Sequence, residues 1–277
     1  MKKIGFIDYR IDEWHANNYP GWIKTAAEDL KLASALTYAY ATENNPDGLT
    51  TEEWCQKFGA EKCETIDEIC QKSDVLLVLA PSNPETHLAF AKAVLPYGKP
   101  TYIDKTFAPD TATALQIFAL AEKHHTPLFS SSALRYATEL DDIKDAANII
   151  TCGGGSNAPE YIIHQAEMVI RLLKDEPVAF KAETQGTQIL FRARFAHGAN
   201  ASMIFARSLP FSICVEDTHG GETNTPVTSD FFGGLIRDIL RFYETGTPSF
   251  ETSETVNVMR LREGVLKALE TPEVWVR

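Results

Sequence analysis

The stretch Asp74-Val75-Leu76-Leu77-Val78-Leu79-Ala80-Pro81 decides the fold class. Its unbroken apolar run is typical of a strand that is buried on both faces of a sheet. Four more short apolar runs lie in the first 130 residues, at 4–7, 36–41, 101–103 and 128–129, and helical patterns separate them. Strands that alternate with helices in this way predict an α/β fold with a doubly wound parallel sheet of the Rossmann type.

A different pattern begins after about residue 130. Apolar and polar side chains alternate along 188–195, and the polar turn His197-Gly198 leads into a further apolar run over 199–206. Alternation joined by tight turns predicts an antiparallel sheet with one covered face. One helical pattern begins near Pro159, and two more cover 229–244 and 253–269. We therefore predict a Rossmann-like nucleotide-binding-type domain over 1–130 and an α+β domain with a mostly antiparallel open sheet over 131–277.

The charge of the chain narrows the classes of partner. Twenty-six basic residues against 38 acidic ones give a net charge of −12, which argues against nucleic-acid binding and against docking on an anionic membrane.

No stretch reaches the roughly 20 apolar residues of a membrane span, and the apolar start is too short for a signal peptide. The five cysteines include no C-x-x-C pair, so neither a disulfide framework nor a zinc site is predicted. We expect a cytoplasmic protein without a metal site.

The loop after the first predicted strand is where a parallel sheet of this kind binds a dinucleotide. Such a site uses the pattern G-x-G-x-x-G, because glycines let the backbone approach the pyrophosphate at a helix N-terminus. This chain has Asp8-Tyr9-Arg10-Ile11-Asp12-Glu13-Trp14 there, so large side chains stand at all three glycine positions counted from Asp8. Taken alone, the loop does not predict a dinucleotide.

Other motifs carry a family resemblance. The apolar strand that ends at Pro81 is followed by Ser82-Asn83-Pro84-Glu85-Thr86-His87 and later by Gly98-Lys99-Pro100-Thr101-Tyr102-Ile103-Asp104-Lys105-Thr106. This order resembles the glucose-fructose oxidoreductase / inositol dehydrogenase (Gfo/Idh/MocA) family, which has a strand ending in Pro, a His-bearing helix, Gly-Lys-x-Val and Glu-Lys-Pro. The tripeptide here is Asp104-Lys105-Thr106, in which only the lysine is kept.

The resemblance continues into the second predicted domain. Arg135-Tyr136 lies where the family commonly has Arg-Tyr, and Gly153-Gly154-Gly155 precedes Glu160-Tyr161-Ile162-Ile163-His164. The second motif is similar to the family's Gly-Gly-Gly and Asp-x-Gly-x-His, with Glu in place of Asp and one extra residue. The resemblance covers nearly the whole chain, although 277 residues is short for the family and implies a trimmed second domain.

The resemblance implies an oxidoreductase that uses NAD or NADP to oxidise a sugar or polyol hydroxyl or to reduce the ketone. His164 would be the general base and Lys105 would hold the substrate hydroxyl and the nicotinamide ribose. A histidine near neutral pKa suits proton removal during hydride transfer, and a nearby lysine would stabilise the developing alkoxide. The residues expected to bind the cofactor are Asp8, Tyr9, Arg10, Glu43, Pro81, Asn83, His87 and Asp104. The residues expected on the substrate side are Trp14, His15, Tyr136 and Glu160.

Each of these assignments has a structural alternative. His164 falls on a polar stripe with Glu160, Glu167 and Arg171, which a solvated helix face would also explain. Lys105 could be a surface lysine at a strand end, and Ser82, Asn83 and His87 could be helix caps. The aromatic segment 14–22 either forms the edge of a core or lines a pocket that stacks on a sugar or base.

The altered loop leaves two classes of function open. In the first, the chain is an enzyme of the family; in the second, it is a non-catalytic sugar- or metabolite-binding relative that has lost dinucleotide binding. Arg10 could clamp a phosphate or pair with Asp8 or Asp12 and close the site, and the acidic run favours the pairing. Glu43 would favour the ribose diol of NAD if a cofactor binds at all. Family members commonly associate through the open sheet face, so we expect a homodimer.

Overall fold

A computed structural model describes residues 1–277 of the chain. Two compact units divide it. Unit 1 contains Met1–Ser131 and Phe232–Glu251, and unit 2 contains Ser132–Phe231 and Thr252–Arg277. None of the helices combines the length and apolar character that a membrane crossing would require.

Unit 1 is built on a parallel sheet of six strands. Its strands are β1 (Lys2–Asp8), β2 (Ser34–Ala41), β3 (Glu61–Lys62), β4 (Val75–Val78), β5 (Thr101–Ile103) and β6 (Leu128–Phe129). The order across the sheet is β3-β2-β1-β4-β5-β6, and every neighbouring pair is parallel. All four residues of β4 are buried, as the apolar run at 75–79 predicts. The two-residue strand β3 was not predicted, because it is too short to carry a pattern.

Helices connect these strands. They are α1 (Trp14–Leu30), α2 (Thr51–Phe58), α3 (Ile66–Lys72), α4 (His87–Val94) and α5 (Thr111–Lys123). The start of α2 shows the local chemistry well, since the Thr50 and Glu53 side chains each accept a hydrogen bond from the other residue's backbone N–H. Because the strands are parallel, their carboxyl ends and the N-termini of the following helices share one edge of the sheet.

One late helix, α7 (Phe231–Thr245), belongs almost entirely to unit 1. Phe242 packs edge-on against Phe129, with ring centroids 4.8 Å apart, and the Tyr243 hydroxyl donates a 2.8 Å hydrogen bond to the Leu76 carbonyl. The sequence interpretation placed all residues after 130 in the second domain. Residues 232–251 depart from it because their apolar face is buried on the Rossmann sheet.

Unit 2 contains a second sheet of six strands. They are β7 (Ala146–Gly153), β8 (Pro177–Gln185), β9 (Gln188–Phe195), β10 (Asn200–Phe205), β11 (Ser212–Asp217) and β12 (Glu222–Pro226). The order is β12-β11-β7-β10-β9-β8, and only the β7–β10 pair is parallel. The predicted fold class, a Rossmann-like parallel sheet with a mostly antiparallel second sheet, is confirmed.

Two helices, α6 (Ala158–Leu173) and α8 (Thr252–Lys267), belong to unit 2. Helix α8 lies close to β8, because a Cβ atom at Gly264 would stand only 2.4 Å from the Phe180 ring. The other face of the sheet carries side chains that are exposed or half-buried, such as Ile150, Cys152 and Cys214. This sheet therefore has one covered and one open face.

Candidate functional site

Asp104 is the centre of the polar network at the carboxyl edge of unit 1. It follows β5 and is fully buried. One carboxylate oxygen accepts a 2.8 Å hydrogen bond from the Lys105 backbone N–H, and the other accepts a 2.5 Å hydrogen bond from Nδ1 of His15. The hydroxyls of Tyr19 and Tyr102 each donate at 3.3 Å. Burial by itself raises the Asp104 pKa, but His15 and Lys105 outweigh it and lower the pKa below its usual value, so the carboxylate is ionised.

Lys105 lies beside Asp104 and is buried, with 8% of its surface exposed. Its Nζ is 3.5 Å from the carbonyl oxygen of Pro81, the third residue after β4. The ammonium group therefore lies at the carboxyl ends of β4 and β5. It is not a surface lysine, so the structural alternative for this residue does not apply.

The N-terminus of α1 is capped by a carboxylate. Glu13 accepts hydrogen bonds from the backbone N–H groups of His15 at 2.8 Å and Ala16 at 2.5 Å. These are the helix-terminal donors that hold phosphate in dinucleotide-binding folds. Burial raises the pKa of Glu13 although His15 and these amides favour its charged form. The sequence interpretation missed this cap, although Glu13 stands at the third glycine position.

Arg10 pairs with Glu43, not with Asp8 or Asp12 as the sequence interpretation favoured. Its Nη2 is 2.9 Å and its Nε 3.3 Å from one oxygen of Glu43, and the Tyr9 hydroxyl donates a 3.0 Å hydrogen bond to the other. Glu43 follows β2, so the pair joins the two strand ends where a ribose diol would bind. Asp12 is not available because its carboxylate accepts from the Leu49 N–H and the Asn17 amide.

Asp8, at the end of β1, is sealed inside unit 1 with 1% of its surface exposed. One oxygen accepts hydrogen bonds from the backbone N–H groups of Arg10 and Ala80, and the other has no partner. Burial, and secondarily the charge of Glu13, raises its pKa well above the ordinary value. The carboxylate thus sits under the loop, where a side chain replaces the first glycine of the dinucleotide pattern.

Two other predicted cofactor residues have internal roles. His87 is fully buried, and its ring nitrogens lie 2.7 Å from the Leu79 carbonyl and 3.0 Å from the Phe107 carbonyl. Burial lowers the pKa of this histidine. The Asn83 amide donates to Glu85 and does not cap the turn at Pro84–Thr86, which precedes α4. His87 has no exposed surface with which to contact a cofactor, whereas the cofactor contact of Asn83 stays a prediction.

An aromatic cluster lies at the start of α1. Trp14 is 54% exposed, and its ring lies 5.6 Å from Trp22 and 5.2 Å from Phe232, measured between centroids. Trp22 and Phe232 are stacked at 4.7 Å. The His15 ring lies 5.3 Å from Trp14. The predicted substrate residues Trp14 and His15 are therefore neighbours on one face of unit 1.

His164 is the best-positioned polar group of unit 2. It is half-buried on α6, and its Nδ1 lies 2.7 Å from the Ser132 hydroxyl. The rings of Tyr161 and Phe211 lie edge-on to it, with centroids 5.6 and 5.8 Å away. Ser132 was not predicted, because 32 residues separate it from His164 and no local pattern joins them.

A network of buried charges contacts Ser132, the hydrogen-bond partner of this histidine. Glu167 accepts a 3.1 Å hydrogen bond from the Ser132 backbone N–H and a 2.8 Å hydrogen bond from Arg135 Nη1. Arg135 also contacts the Glu254 carboxylate, and all three charged residues are buried. The burial of Glu167 rules out the alternative in which this whole stripe of α6 is solvated. A carboxylate on this face can be buried because an arginine neutralises it.

The two remaining substrate-side predictions also lie in unit 2. Tyr136 is half-buried at the end of a short 3₁₀ turn, Ala133–Tyr136. Glu160 is at the start of α6, where its N–H donates to Asn157 and its carboxylate accepts from the Asn157 amide at 3.2 Å. Glu160 thus takes part in the helix cap, and its predicted contact with substrate stays a prediction.

The family model described as "Oxidoreductase family, NAD-binding Rossmann fold" (GFO_IDH_MocA) matches residues 34–132. This part of the chain is therefore similar to the Gfo/Idh/MocA oxidoreductases. The resemblance inferred from the motifs at 74–106 is confirmed by this match. A segment of 57 residues, 21% of the chain, is 37% identical to the uncharacterized oxidoreductase YhhX of Escherichia coli (strain K12) and spans 16% of that protein.

Solved structures share the fold over the full length. The myo-inositol dehydrogenase of Lactobacillus casei, solved with NAD(H) and myo-inositol, superposes with a TM-score of 0.81 at 12% identity, covering 100% of this chain and 97% of that one. The aldose-aldose oxidoreductase of Caulobacter crescentus, complexed with glycerol, gives 0.74 at 16% identity and covers 100% of both chains. At these identities the likeness shows the fold alone.

The cofactor of the family can be tested against this chain's own residues. A pyrophosphate on the N-terminus of α1 needs its amide donors, and Glu13 already occupies those of His15 and Ala16. It would also lie over the buried carboxyl group of Asp8, which only backbone N–H groups contact. Like charges in a partly desolvated site repel strongly. The residues present do not fit a dinucleotide in the pose that a glycine-rich loop provides.

Proposed function

We propose that the chain is an oxidoreductase that acts on a sugar, a polyol or a related hydroxyl or ketone compound. The observation that carries the proposal is the fixed ring of His164 in unit 2, whose Nδ1 is held by the Ser132 hydroxyl at 2.7 Å. A histidine with one nitrogen fixed presents the other in a defined direction, which is the requirement for a general base. The buried Lys105 of unit 1 supports the proposal from its own side.

The proposed roles concern protons and orientation. His164 takes the proton of the substrate hydroxyl on Nε2, while Ser132 keeps the ring in place. Lys105 of unit 1 is proposed as a donor that stabilises negative charge on a ligand oxygen bound at its own strand ends. Glu167 accepts a hydrogen bond from the Ser132 backbone N–H, and Arg135 donates to Glu167. Both residues therefore act through Ser132. Tyr136 and Glu160 stay proposed substrate contacts.

The family's cofactor would be NAD or NADP, which accepts or donates the hydride when bound. Glu13 and Asp8 oppose its usual position, so we propose a pose that avoids the N-terminus of α1. Arg10 would leave Glu43 and meet a phosphate, since a guanidinium binds phosphate well. No step of the proton transfer described above depends on that pose.

Replacement of His164 tests the proposal. We expect His164→Ala to lower turnover of myo-inositol or an aldose with NAD or NADP by roughly 10²–10⁴-fold, because a positioned general base contributes about that much. His219→Ala is the matched control, since His219 is exposed and lies in the same unit. Unchanged turnover in His164→Ala, with circular dichroism showing an intact fold, would remove His164 from the reaction.

A second candidate is a non-catalytic protein that binds the same class of compound. The specific observation in its favour is the Glu13 carboxylate on the helix-terminal amides. Calorimetric titration of cofactor-free protein with NADH and NADPH separates the candidates. A dissociation constant tighter than about 1 μM, near −8 kcal/mol, would eliminate the second candidate.

We also propose a homodimer formed through the open sheet face of unit 2. Apolar Ile150 is 47% exposed there, which favours a covered surface in solution. Light scattering that gives a mass near the 30.8 kDa of one chain at micromolar concentration would contradict this. A cytoplasmic location stays a prediction of the sequence.

A further inference from the structure

The edge of unit 1 next to α1 has few free donors for an anionic ligand. Glu13 occupies the backbone N–H groups of His15 and Ala16, and Asp8 and Asp104 are buried carboxyl groups at the same edge. Sites that bind a pyrophosphate place positive charge or free amides at this edge. Because the helix-terminal donors are already occupied, this edge favours a neutral ligand over an anionic one.

His15 points a free nitrogen out of this edge. The residue is 7% exposed, and its Nδ1 is fixed by the 2.5 Å hydrogen bond to the ionised Asp104. Because that carboxylate only accepts, Nδ1 donates to it, and Nε2 is the ring nitrogen left for a ligand. No protein group bonds Nε2, and it is not among the buried atoms that lack a partner, so it meets the surface.

An aromatic surface lies next to the His15 ring. The rings of Trp14 and Phe232 lie 5.3 and 6.3 Å from the His15 ring, and Trp22 stacks on Phe232. An exposed indole next to a directed polar group is suited to a molecule with one apolar face and a rim of hydroxyls. A helix that only packs on a sheet has no need of a tryptophan that is 54% exposed.

We propose that His15 and the aromatic cluster of Trp14, Trp22 and Phe232 form a binding site for a neutral carbohydrate or cyclic polyol. The apolar face of the ring lies on Trp14, and one hydroxyl forms a hydrogen bond with Nε2 of His15. Asp104 acts as a positioning residue because it holds the imidazole. The choice of ligand class rests on the proposed function, whereas the site belongs to unit 1 alone and requires no cofactor.

The test measures binding without any cofactor. Wild-type protein is titrated with myo-inositol, D-glucose and inorganic pyrophosphate, and binding is followed by calorimetry and tryptophan fluorescence. We expect a saturable signal from at least one neutral probe and none from pyrophosphate. Absence of a signal from both neutral probes at about 10 mM, or tighter binding of pyrophosphate, would overturn the proposal.

Two variants locate the site. His15→Asn keeps a donor near Asp104 but removes Nε2, and we expect it to weaken the neutral probe about 3–10-fold, as loss of one hydrogen bond does. Trp14→Ala removes the stacking surface and is expected to weaken it by a similar factor. Trp275→Phe, in unit 2, is the control for both fluorescence and affinity.

The outcomes separate this proposal from the proposed function. If both variants bind the neutral probe as wild type does while His164→Ala loses turnover, the enzyme reaction stands and the unit 1 site is rejected. If the variants lose the probe while no turnover with NAD or NADP is found, the site stands and the oxidoreductase is rejected. Circular dichroism of each variant confirms that a loss of binding is not a loss of fold.

Discussion

Carboxylates are held differently in the two units. At the α1 edge of unit 1, Asp8 and Glu13 rely on backbone N–H groups, and no cationic side chain bonds to them. In unit 2, the buried Glu167 pairs with Arg135, which also contacts Glu254. A buried carboxylate without a cation is costly, whereas a paired one is tolerated. The difference indicates that unit 2 neutralises its buried carboxylates with an arginine. In unit 1, the helix-terminal N–H groups that could bind a phosphate donate to Glu13 instead.

The same comparison shows where the family pattern has been altered. The amides at the start of a helix attract negative charge, and in dinucleotide-binding folds a phosphate supplies it. Here Glu13 supplies it from within the chain. The carboxyl ends of β4 and β5 keep the buried Lys105. The phosphate end of the pattern has therefore lost its glycines, whereas the end near Lys105 keeps its lysine.

The largest effect is expected from breaking the paired charges of unit 2. Arg135→Met leaves Glu167 and Glu254 buried without a cation, and we expect it to lower the free energy of unfolding by about 3–5 kcal/mol. Urea unfolding followed by circular dichroism measures this. Adding Glu167→Gln and Glu254→Gln removes the stranded charges and is expected to recover most of the loss. A single variant as stable as wild type would show that the arginine does not neutralise the pair.

Much of the fold follows from the sequence, because strand burial and helix periodicity are local. The run at 75–79 predicts β4, and the alternation at 188–195 predicts β9. The periodicity of 229–244 predicts a helix with a buried face but does not say which sheet covers it. That choice depends on contacts such as Phe242 with Phe129, more than 100 residues apart.

The site was less predictable because its geometry depends on partners that are distant in sequence. The pairing of Arg10 with a near neighbour, Asp8 or Asp12, was wrong because Glu43 from the next strand end supplies the carboxylate. Ser132 beside His164 has no sequence signal. Glu13 could have been found, since an acidic residue just before a helix often caps it. The roles proposed for Lys105 and His164 came from motif order alone and stay predictions.

A smaller effect is expected from neutralising the α1 cap. Glu13→Gln keeps a neutral oxygen for capping but removes the charge that opposes a phosphate, so we expect NADH to bind about tenfold more tightly, equivalent to 1.4 kcal/mol. Calorimetry on cofactor-free protein measures it. Glu53→Gln is the matched control, because the Glu53 side chain likewise accepts a backbone hydrogen bond at the N-terminus of a unit 1 helix but lies on α2. Equal affinities in wild type and Glu13→Gln would show that the carboxylate moves aside at little cost.

The smallest expected effect concerns the pH dependence of stability, which should have opposite signs for the single carboxylates Asp8 and Glu139. Burial raises the pKa of Asp8, so its folded state binds more protons and wild-type stability falls as pH rises above the ordinary value. Asp8→Asn keeps an acceptor for the Arg10 and Ala80 amides, and we expect it to be more stable than wild type by about 1 kcal/mol at pH 7. That advantage is expected to disappear near pH 4, where both side chains are neutral.

Glu139 of unit 2 provides the opposite case. Burial by itself raises its pKa, but hydrogen bonds from Ser229 and Thr228 outweigh it and lower the pKa to about 2. A depressed pKa contributes stability above the ordinary value, and that contribution is lost as pH falls towards 2. Glu139→Gln should therefore be less stable than wild type by about 1–2 kcal/mol at pH 7, with the gap closing between about pH 5 and pH 2. Urea unfolding of both variants from pH 3 to 7 measures the two slopes. If the slopes have the same sign, the contrast between Asp8, which only amides hold, and Glu139, which amides and hydroxyls hold, is not electrostatic in origin.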